Sequence, residues 1–403
     1  MAEGIFSSIE FQMSLLLFVA LAGYLLASKI NQSAVIGEIL VGIIIGPSLL
    51  GLITYTDFVA SVAHLGAIIL LFVVGLEFKL KDIFNLKYTW IALSGVIVPW
   101  IMGYYLAKLF GYDFGSAVFV GTALTATSIA ITANVLREMG KLQTDAAKAI
   151  IGAAVIDDVL SLLALSISTQ IVGGTFSIGS TAIILLKSIA FLAIGSYVGL
   201  KFLSPMIEKL GRSNIAKKFP EFVFIFAMML AFLYAMVAEV IHLSAIVGSF
   251  LAGMVLEGAF VKHGKDYREG AEYLHIIFAS IFFVSLGILA DVKALSLNVI
   301  WFLLALTVIA VISKVIGCYI PAKLQGLSHK DSSIVGWGMS PRGEVAMIVA
   351  LLGLNAGLIK QDIYVSLVLM SLLTTILTPI VLRNWLYKKS FAGLFRRKRV
   401  TLQ

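Results

Sequence analysis

Apolar residues in this chain form long runs, and short segments that carry charged residues separate these runs. Most runs contain roughly 17 to 25 residues, the length that an α-helix needs to cross the hydrocarbon core of a membrane. The pattern predicts an all-α polytopic membrane protein with about thirteen transmembrane helices. The predicted helices cover residues 9–28, 34–52, 59–77, 88–110, 115–137, 142–172, 177–205, 219–240, 243–258, 273–290, 294–322, 331–356 and 361–387.

The composition agrees with a membrane protein and argues against other classes. Of the 403 residues, 60% are hydrophobic and 13% are charged, about half the charged fraction of a soluble domain. The net charge is +8, but the sequence has no continuous basic face and no nucleic-acid-binding motif. It also lacks a phosphate-binding loop and a dinucleotide fingerprint. We therefore expect one membrane unit over residues 1–403, with no nucleic-acid partner, no cofactor and no ATP-driven step.

Basic residues are concentrated in alternate loops between the predicted helices. These residues are Lys29, Lys79, Lys81, Lys87, Arg137, Lys141, Lys148, Lys209, Arg212, Lys217, Lys218, Lys262, Lys265, Arg268, Lys323 and Lys330. Because loops rich in Lys and Arg remain in the cytoplasm, we expect a plasma-membrane protein with its N-terminus outside and its C-terminus inside. The side that carries these loops is called the basic end below. The tail residues 396–399 are predicted to bind anionic lipid there.

Two halves of the chain resemble each other at an offset of 211 residues. The segment SAVIGEILVG at 33–42 aligns with SAIVGSFLAG at 244–253. The halves, about 33–173 and about 244–387, each contain five predicted helices. Because five is odd, the second copy is predicted to be inverted relative to the first. Inverted repeats are typical of secondary transporters, whose binding site lies near the midplane between the halves. A channel or a membrane enzyme can also be duplicated.

Two adjacent carboxylates, Asp157 and Asp158, lie near the middle of the predicted helix 142–172. One charged side chain at the centre of a membrane helix costs roughly 2.5–3.5 kcal/mol, so a pair indicates a partner, a bound proton or a function. Neighbouring residues project about 100° apart on a helix. We therefore expect one aspartate to contact a partner helix and the other to face a cavity.

Lys314 lies at a similar depth in the predicted helix 294–322. A buried ammonium group needs a carboxylate partner, and either Asp157 or Asp158 can supply it. Lys314 is expected to form an ion pair that either only neutralises the charges or also takes part in proton transfer.

Two further polar segments interrupt predicted helices at corresponding places in the two halves, as expected for broken helices at a transport site. In the segment 122–128, the hydroxyls of Thr125, Thr127 and Ser128 are candidates either for cation binding or for bonds to their own helix. The other segment contains a proline and a glycine, which weaken a helix. Its candidate residues are Pro341, Arg342 and Glu344, and the charges of Arg342 and Glu344 are expected to neutralise helix ends and each other.

The remaining ionisable residues are expected to have structural roles. Four glutamates lie toward predicted helix ends, where a solvated carboxylate costs little: Glu38, Glu77, Glu239 and Glu257. The five histidines show no metal-ligand spacing, although His263 and His329 in loops of the basic end are candidates for pH sensing.

Taken together, these motifs resemble the sodium/proton antiporters of the NapA and NhaA type, within the monovalent cation:proton antiporter superfamily. The likeness covers most of the chain. The segments that carry it are Gly37-Glu38-Ile39-Leu40-Val41-Gly42 with Gly46-Pro47, Thr125-Ala126-Thr127-Ser128, Asp157-Asp158, Lys314, Pro341-Arg342-Gly343-Glu344 and Thr374-Thr375 with Pro379.

The resemblance implies an NhaA-like fold in which a mobile core domain (about 88–172 and 294–387) moves against a dimerisation domain (about 1–80 and 219–290). The helix 177–205 would link the two domains, and broken helices would cross beside the aspartates.

The resemblance also implies residue roles. Asp158 is expected to carry Na⁺ or Li⁺ and H⁺ in turn, with Asp157 and Thr127 as further Na⁺ ligands. Asp157 would pair with Lys314, and the two adjacent acids imply electrogenic exchange by a homodimer.

Three alternative functions remain open at this point. A potassium/proton antiporter has the same kind of oxygen-lined site, because sequence does not reveal ion size. A passive cation channel would also use membrane-embedded carboxylates. An intramembrane aspartyl protease would need its two acids on separate helices so that they share one proton, whereas here they are adjacent.

Overall fold

The computed structural model describes residues 8–30, 32–83, 85–174, 177–219, 221–263, 265–289, 297–355 and 357–387. These residues form helices joined by short turns. The main helices are α1 (Ile9–Lys29), α2 (Ala34–Ile45), α3 (Asp57–Gly75), α4 (Lys87–Leu109), α5 (Phe114–Ala123), α6 (Ile129–Glu138), α7 (Asp145–Val172), α8 (Ile178–Gly211), α9 (Glu221–Val240), α10 (Ala245–His263), α11 (Lys265–Ile288), α12 (Leu297–Leu324), α13 (His329–Gly338), α14 (Glu344–Asn355) and α15 (Gln361–Leu386).

The fold is that of a multi-pass membrane protein. Within the described ranges, eight helices are long and apolar enough to cross a membrane, and five shorter apolar helical segments accompany them. The all-α fold class is confirmed, while the total of thirteen spans stays a prediction. The basic tail 396–399 lies outside the described residues, as do the side chains of Lys217, Lys262, His263, Lys265 and Arg268.

Local sequence explains where several helices begin and end. Thr144 caps α7, because its hydroxyl accepts a hydrogen bond from the Ala147 amide. The helix α2 ends at Ile45, seven residues before the predicted end, because Pro47 disfavours helical geometry at Gly46. In contrast, α8 runs past the predicted end at 205 and continues to Gly211.

The helices pack mainly within two groups. The first group consists of α1, α2, α3, α9, α10 and α11, and the second group consists of α4 to α7 and α12 to α15. Glycines allow close approach inside the first group, since a Cβ atom at Gly253 of α10 would overlap the carbonyl oxygen of Phe72 in α3. The helix α8 is mostly exposed, and it contacts α7 of one group and α10 of the other.

Candidate functional site

The two aspartates lie in the middle of α7, and their surroundings differ. The side chain of Asp157 is buried, with 1% of its surface exposed, while Asp158 is partly exposed. This difference follows from the angle of about 100° between neighbouring side chains on a helix. Asp157 faces α12 within the second group of helices.

Lys314 of α12 is the partner of Asp157. Its Nζ lies 2.7 Å from Asp157 Oδ1, and it also donates to the carbonyl oxygens of Gly95 and Thr125, both at 2.7 Å. An ammonium group has three hydrogens, so these three acceptors satisfy it completely. The ammonium is therefore held rigidly between α4, α7 and the segment that follows α5.

The two interrupted helices meet beside this ion pair. The chain leaves helical geometry between α5 and α6 and again between α13 and α14. The amide of Ser128 donates to the carbonyl of Pro341 at 2.9 Å, and the hydroxyl of Thr132 donates to the carbonyl of Gly338 at 2.6 Å. Hydrogen bonds between the two interrupted helices thus pair backbone groups that have lost their helical partners. Inside a membrane such groups need a partner within the protein.

Arg342 lies at this crossing and is completely buried, with 0% exposure. Its Nη1 donates to the carbonyl of Ala126 at 2.7 Å, and its Nη2 donates to the carbonyl of Ala310 at 3.3 Å. The guanidinium therefore places positive charge beside the C-terminal end of α5, where the helix dipole is negative. The side chain of Glu344, its expected neighbour, lies outside the described residues.

The hydroxyl groups near the crossing have different partners. Thr125 Oγ1 donates to the carbonyl of Thr122 in its own chain segment at 2.7 Å, and it is the carbonyl of Thr125 that binds Lys314. Thr127 Oγ1 reaches the carbonyl of Met339 at 3.4 Å. Ser128 Oγ is buried without a hydrogen-bond partner, so it has a free donor and a free acceptor at the crossing.

Four ionisable side chains of this site belong to the described part of the chain. Lys314 and Arg342 are buried and positive, and the buried Asp157 and the partly exposed Asp158 supply two negative charges when both are ionised. A cation that binds here would add one uncompensated positive charge in surroundings that screen it poorly. The site is therefore suited to exchanging a cation for a proton.

Sequence reasoning was wrong about Glu38 of α2. We expected a solvated carboxylate near a helix end, but its side chain is 2% exposed and accepts a hydrogen bond from Ser280 Oγ at 2.6 Å. The physical reason is that α11 packs across α2 and covers it. The signal was present in the sequence, since Glu38 stands inside an apolar run. Glu77 meets Arg137 at 3.0 Å, and Glu239 remains 64% exposed.

Two cavities extend into the protein from opposite ends. One has a volume of about 810 Å³ and is lined near the basic end by Glu77, Arg137 and Glu138. The other, of about 620 Å³, is lined by His64 and Glu239 among others. Neither of these two cavities is lined by Asp157 or Asp158.

Paired aspartates, a buried lysine and two crossing interrupted helices define a site of the kind found in secondary transporters. The family model described as sodium/hydrogen exchanger, transmembrane, matches residues 15–388, and the chain belongs to this family. The family consists of transporters, which excludes the protease alternative.

Proteins of known or assigned activity are similar to most of this chain. The Na⁺/H⁺-K⁺ antiporter GerN of Bacillus cereus is 34% identical over 375 residues, which are 93% of this chain and 95% of GerN. A Na⁺/H⁺ antiporter of Enterococcus hirae is 31% identical, over 94% of this chain and 98% of that protein.

A solved structure supports the same fold. The sodium proton antiporter MjNhaP1 of Methanocaldococcus jannaschii has a TM-score of 0.73 and covers 98% of this chain and 99% of its own. The sequence identity is 17%, so this likeness concerns the fold alone.

Proposed function

We propose that this protein exchanges Na⁺ or Li⁺ for H⁺ across the membrane, with Asp158 as the carrier of both. The observation that supports this most strongly is that the two adjacent aspartates have different surroundings. Asp157 is held by Lys314 at 2.7 Å and is buried, whereas Asp158 is partly exposed. One carboxylate can thus bind a cation and a proton alternately while its neighbour keeps the lysine in place.

Oxygen atoms beside Asp158 complete the proposed cation site. Asp157 and Thr127 are the proposed further ligands of Na⁺. Ser128 is a candidate because its buried hydroxyl has no protein partner. The hydroxyl of Thr125 is a weaker candidate than the sequence indicated, since it bonds to Thr122. Oxygen atoms of this kind bind alkali cations, and a cation that binds at Asp158 would replace the proton on that carboxylate.

The exchange is proposed to be electrogenic, as in the double-aspartate branch of the superfamily. When Na⁺ binds at Asp158, its charge weakens the attraction between Lys314 and its proton. Two protons, one from Asp158 and one from the pair Lys314–Asp157, would then leave for each sodium. The burial of the Lys314 ammonium supports this role, because the charge of a cation nearby is poorly screened there.

Transport would proceed by alternating access. The aspartates, the lysine and the crossing all belong to the second group of helices, which corresponds to the proposed core domain (about 88–172 and 294–387). The first group corresponds to the proposed dimerisation domain (about 1–80 and 219–290). The helix α8, which contacts both groups, suits the role of linker. We also propose that the protein is a homodimer in the plasma membrane, with its basic end in the cytoplasm. The two halves of the chain are proposed to be inverted repeats.

Potassium/proton exchange is the second candidate. The name of GerN includes potassium. A relative in Saccharomyces cerevisiae is named K⁺/H⁺ antiporter 1 and is 28% identical, over 91% of this chain and 45% of that protein. The oxygen ligands of the site do not by themselves exclude the larger ion.

Proteoliposomes that hold a pH gradient test the proposal directly. Addition of Na⁺ or Li⁺ is expected to dissipate the gradient in a saturable way, and K⁺ is expected to do so less effectively. A response to K⁺ alone would favour the second candidate. Sodium flux that persists at the same rate when no proton moves would instead show a passive channel.

A further inference from the structure

The break between α13 and α14 leaves backbone groups that a continuous helix would pair. In a continuous α-helix the amide of Arg342 would donate to the carbonyl of Gly338, four residues earlier. In this structure that carbonyl instead accepts from the hydroxyl of Thr132 at 2.6 Å. The amide of Arg342 therefore needs another partner, and so does its carbonyl, because residue 342 lies between the two helices and lipid offers no hydrogen bonds.

Two adjacent hydroxyl groups of α15 pair both of these backbone groups. Thr374 Oγ1 accepts from the amide of Arg342 at 3.2 Å, and Thr375 Oγ1 donates to the carbonyl of Arg342 at 2.9 Å. Thr374 Oγ1 also donates to the carbonyl of Ser371 at 2.9 Å, so a lone pair of its oxygen faces Arg342. The two threonines have 0% and 1% of their surfaces exposed. They therefore hold the backbone of Arg342 without help from solvent.

The hydroxyl of Thr375 differs from neighbouring hydroxyls on the same helix. Hydroxyl groups within a helix commonly donate to a carbonyl of the preceding turn. On α15, Thr378 donates in this way to the carbonyl of Thr374 at 3.0 Å, and Ser371 donates to the carbonyl of Leu367 at 2.9 Å. Thr375 donates instead to the break between α13 and α14. Its hydroxyl thus serves the interrupted helix and not its own.

The backbone held by these threonines also holds the other interrupted helix. Arg342 Nη1 donates to the carbonyl of Ala126 at 2.7 Å, and the carbonyl of Pro341 accepts from the amide of Ser128 at 2.9 Å. In the same segment the carbonyl of Thr125 binds the buried ammonium group of α12. A displacement of the backbone at Arg342 would therefore be passed on to the segment 125–128.

We propose that Thr374 and Thr375 are positioning residues of the cation site, which act through the backbone of Arg342. They fix the break between α13 and α14 against α15, and this break in turn fixes the segment 125–128. The inference rests on the proposed function, which assigns oxygen atoms of that segment to cation binding. Removal of either hydroxyl would leave one backbone group of Arg342 unpaired, so the break would shift and the oxygen atoms of the site would lose their arrangement.

The apparent KM and the maximal rate of exchange, measured separately in proteoliposomes, test this role. The ion is Na⁺, or K⁺ if the wild type exchanges K⁺ instead. Thr374→Val and Thr375→Val keep the shape of the side chain but remove the hydroxyl. Each is expected to raise the apparent KM by about tenfold, while the maximal rate changes by less than roughly twofold.

Conservative and control variants separate positioning from a general loss of packing. Thr374→Ser and Thr375→Ser retain the hydroxyl and are expected to keep the apparent KM of the wild type. Thr378→Val is the matched control, because it removes a hydroxyl of equal burial whose bond stays within α15. It is expected to leave the apparent KM unchanged. If Thr374→Val fails to fold, Thr375→Val decides, since an unpaired carbonyl is tolerated better than an unpaired amide.

A purely structural role would change a different quantity. The proposal is overturned if the valine variants lower the unfolding midpoint but keep the wild-type KM. It is also overturned if the serine variants behave like the valine variants, or if Thr378→Val raises the KM as much as they do. Continued exchange by Asp158→Asn would contradict the proposed carrier alone, because the comparison of valine with serine at positions 374 and 375 does not use that residue.

Discussion

Lys314 Nζ lies 2.7 Å from Asp157 Oδ1, and both side chains are almost completely buried. Their positions are 157 residues apart in the chain. Of the two adjacent aspartates, Asp157 is therefore bound to a lysine, whereas Asp158 is partly exposed. The proposed exchange of cations and protons depends on this difference.

Asp158→Asn is expected to abolish exchange while the protein still folds. The asparagine keeps the shape of the side chain but cannot bind a proton and a cation alternately. Sodium-dependent dissipation of a pH gradient in proteoliposomes is expected to fall to the level of empty vesicles. Glu239→Gln, which removes an exposed carboxylate of the first group, serves as the control and is expected to retain exchange. Wild-type activity in the Asp158→Asn protein would refute the assignment.

Lys314→Gln is expected to lower both stability and the proton-to-sodium ratio. Removal of one partner leaves the buried Asp157 charge uncompensated, which costs about 3–5 kcal/mol. The reversal potential of exchange in proteoliposomes is expected to change from two protons per sodium toward one. The double variant Asp157→Asn/Lys314→Gln removes both charges and is expected to recover most of the lost thermal stability. An unchanged ratio in Lys314→Gln would leave the lysine with a purely structural role.

Arg342→Lys is expected to weaken the crossing of the interrupted helices. A lysine keeps the charge but cannot reach the carbonyls of Ala126 and Ala310 at once, because it lacks the planar fork of a guanidinium. The loss of charged hydrogen bonds corresponds to roughly 1.5–3 kcal/mol. A reduced unfolding midpoint and slower exchange are expected. Arg212→Lys, at a residue whose side chain is 68% exposed, is the matched control and should leave both unchanged.

Two glycines of α10 test the close packing of the first group. Gly253→Ala would bring its Cβ against the carbonyl oxygen of Phe72, whereas a Cβ at Gly258 has no atom within 4 Å. Gly253→Ala is expected to lower the unfolding midpoint by several degrees, because backbone atoms must separate. Gly258→Ala is expected to be neutral or slightly stabilising, since alanine favours a helix. Equal midpoints for the two variants would contradict the described packing of α10 against α3.

Hydropathy and local motifs determined a large part of this protein. The apolar runs predicted most of the helices, because membrane-spanning segments can be recognised from their length and composition alone. The depth of Asp157 and Asp158 in one helix, and the two interruptions at Thr125 and Pro341, also follow from local pattern. These features depend on residues close together in the chain.

Tertiary packing decided the rest. The sequence left either aspartate as the partner of Lys314, since the choice depends on which side of α7 faces α12. The sequence also did not show which oxygen atom of Thr125 would bind Lys314. In the structure the carbonyl oxygen accepts from Lys314, and the hydroxyl bonds to Thr122 instead. The sequence also placed Glu38 in solvent, because burial there results from α11, more than two hundred residues away in the chain. Hydropathy measures each residue's preference for lipid or water, whereas pairing between helices depends on their rotation and on which atoms remain unsatisfied when they pack.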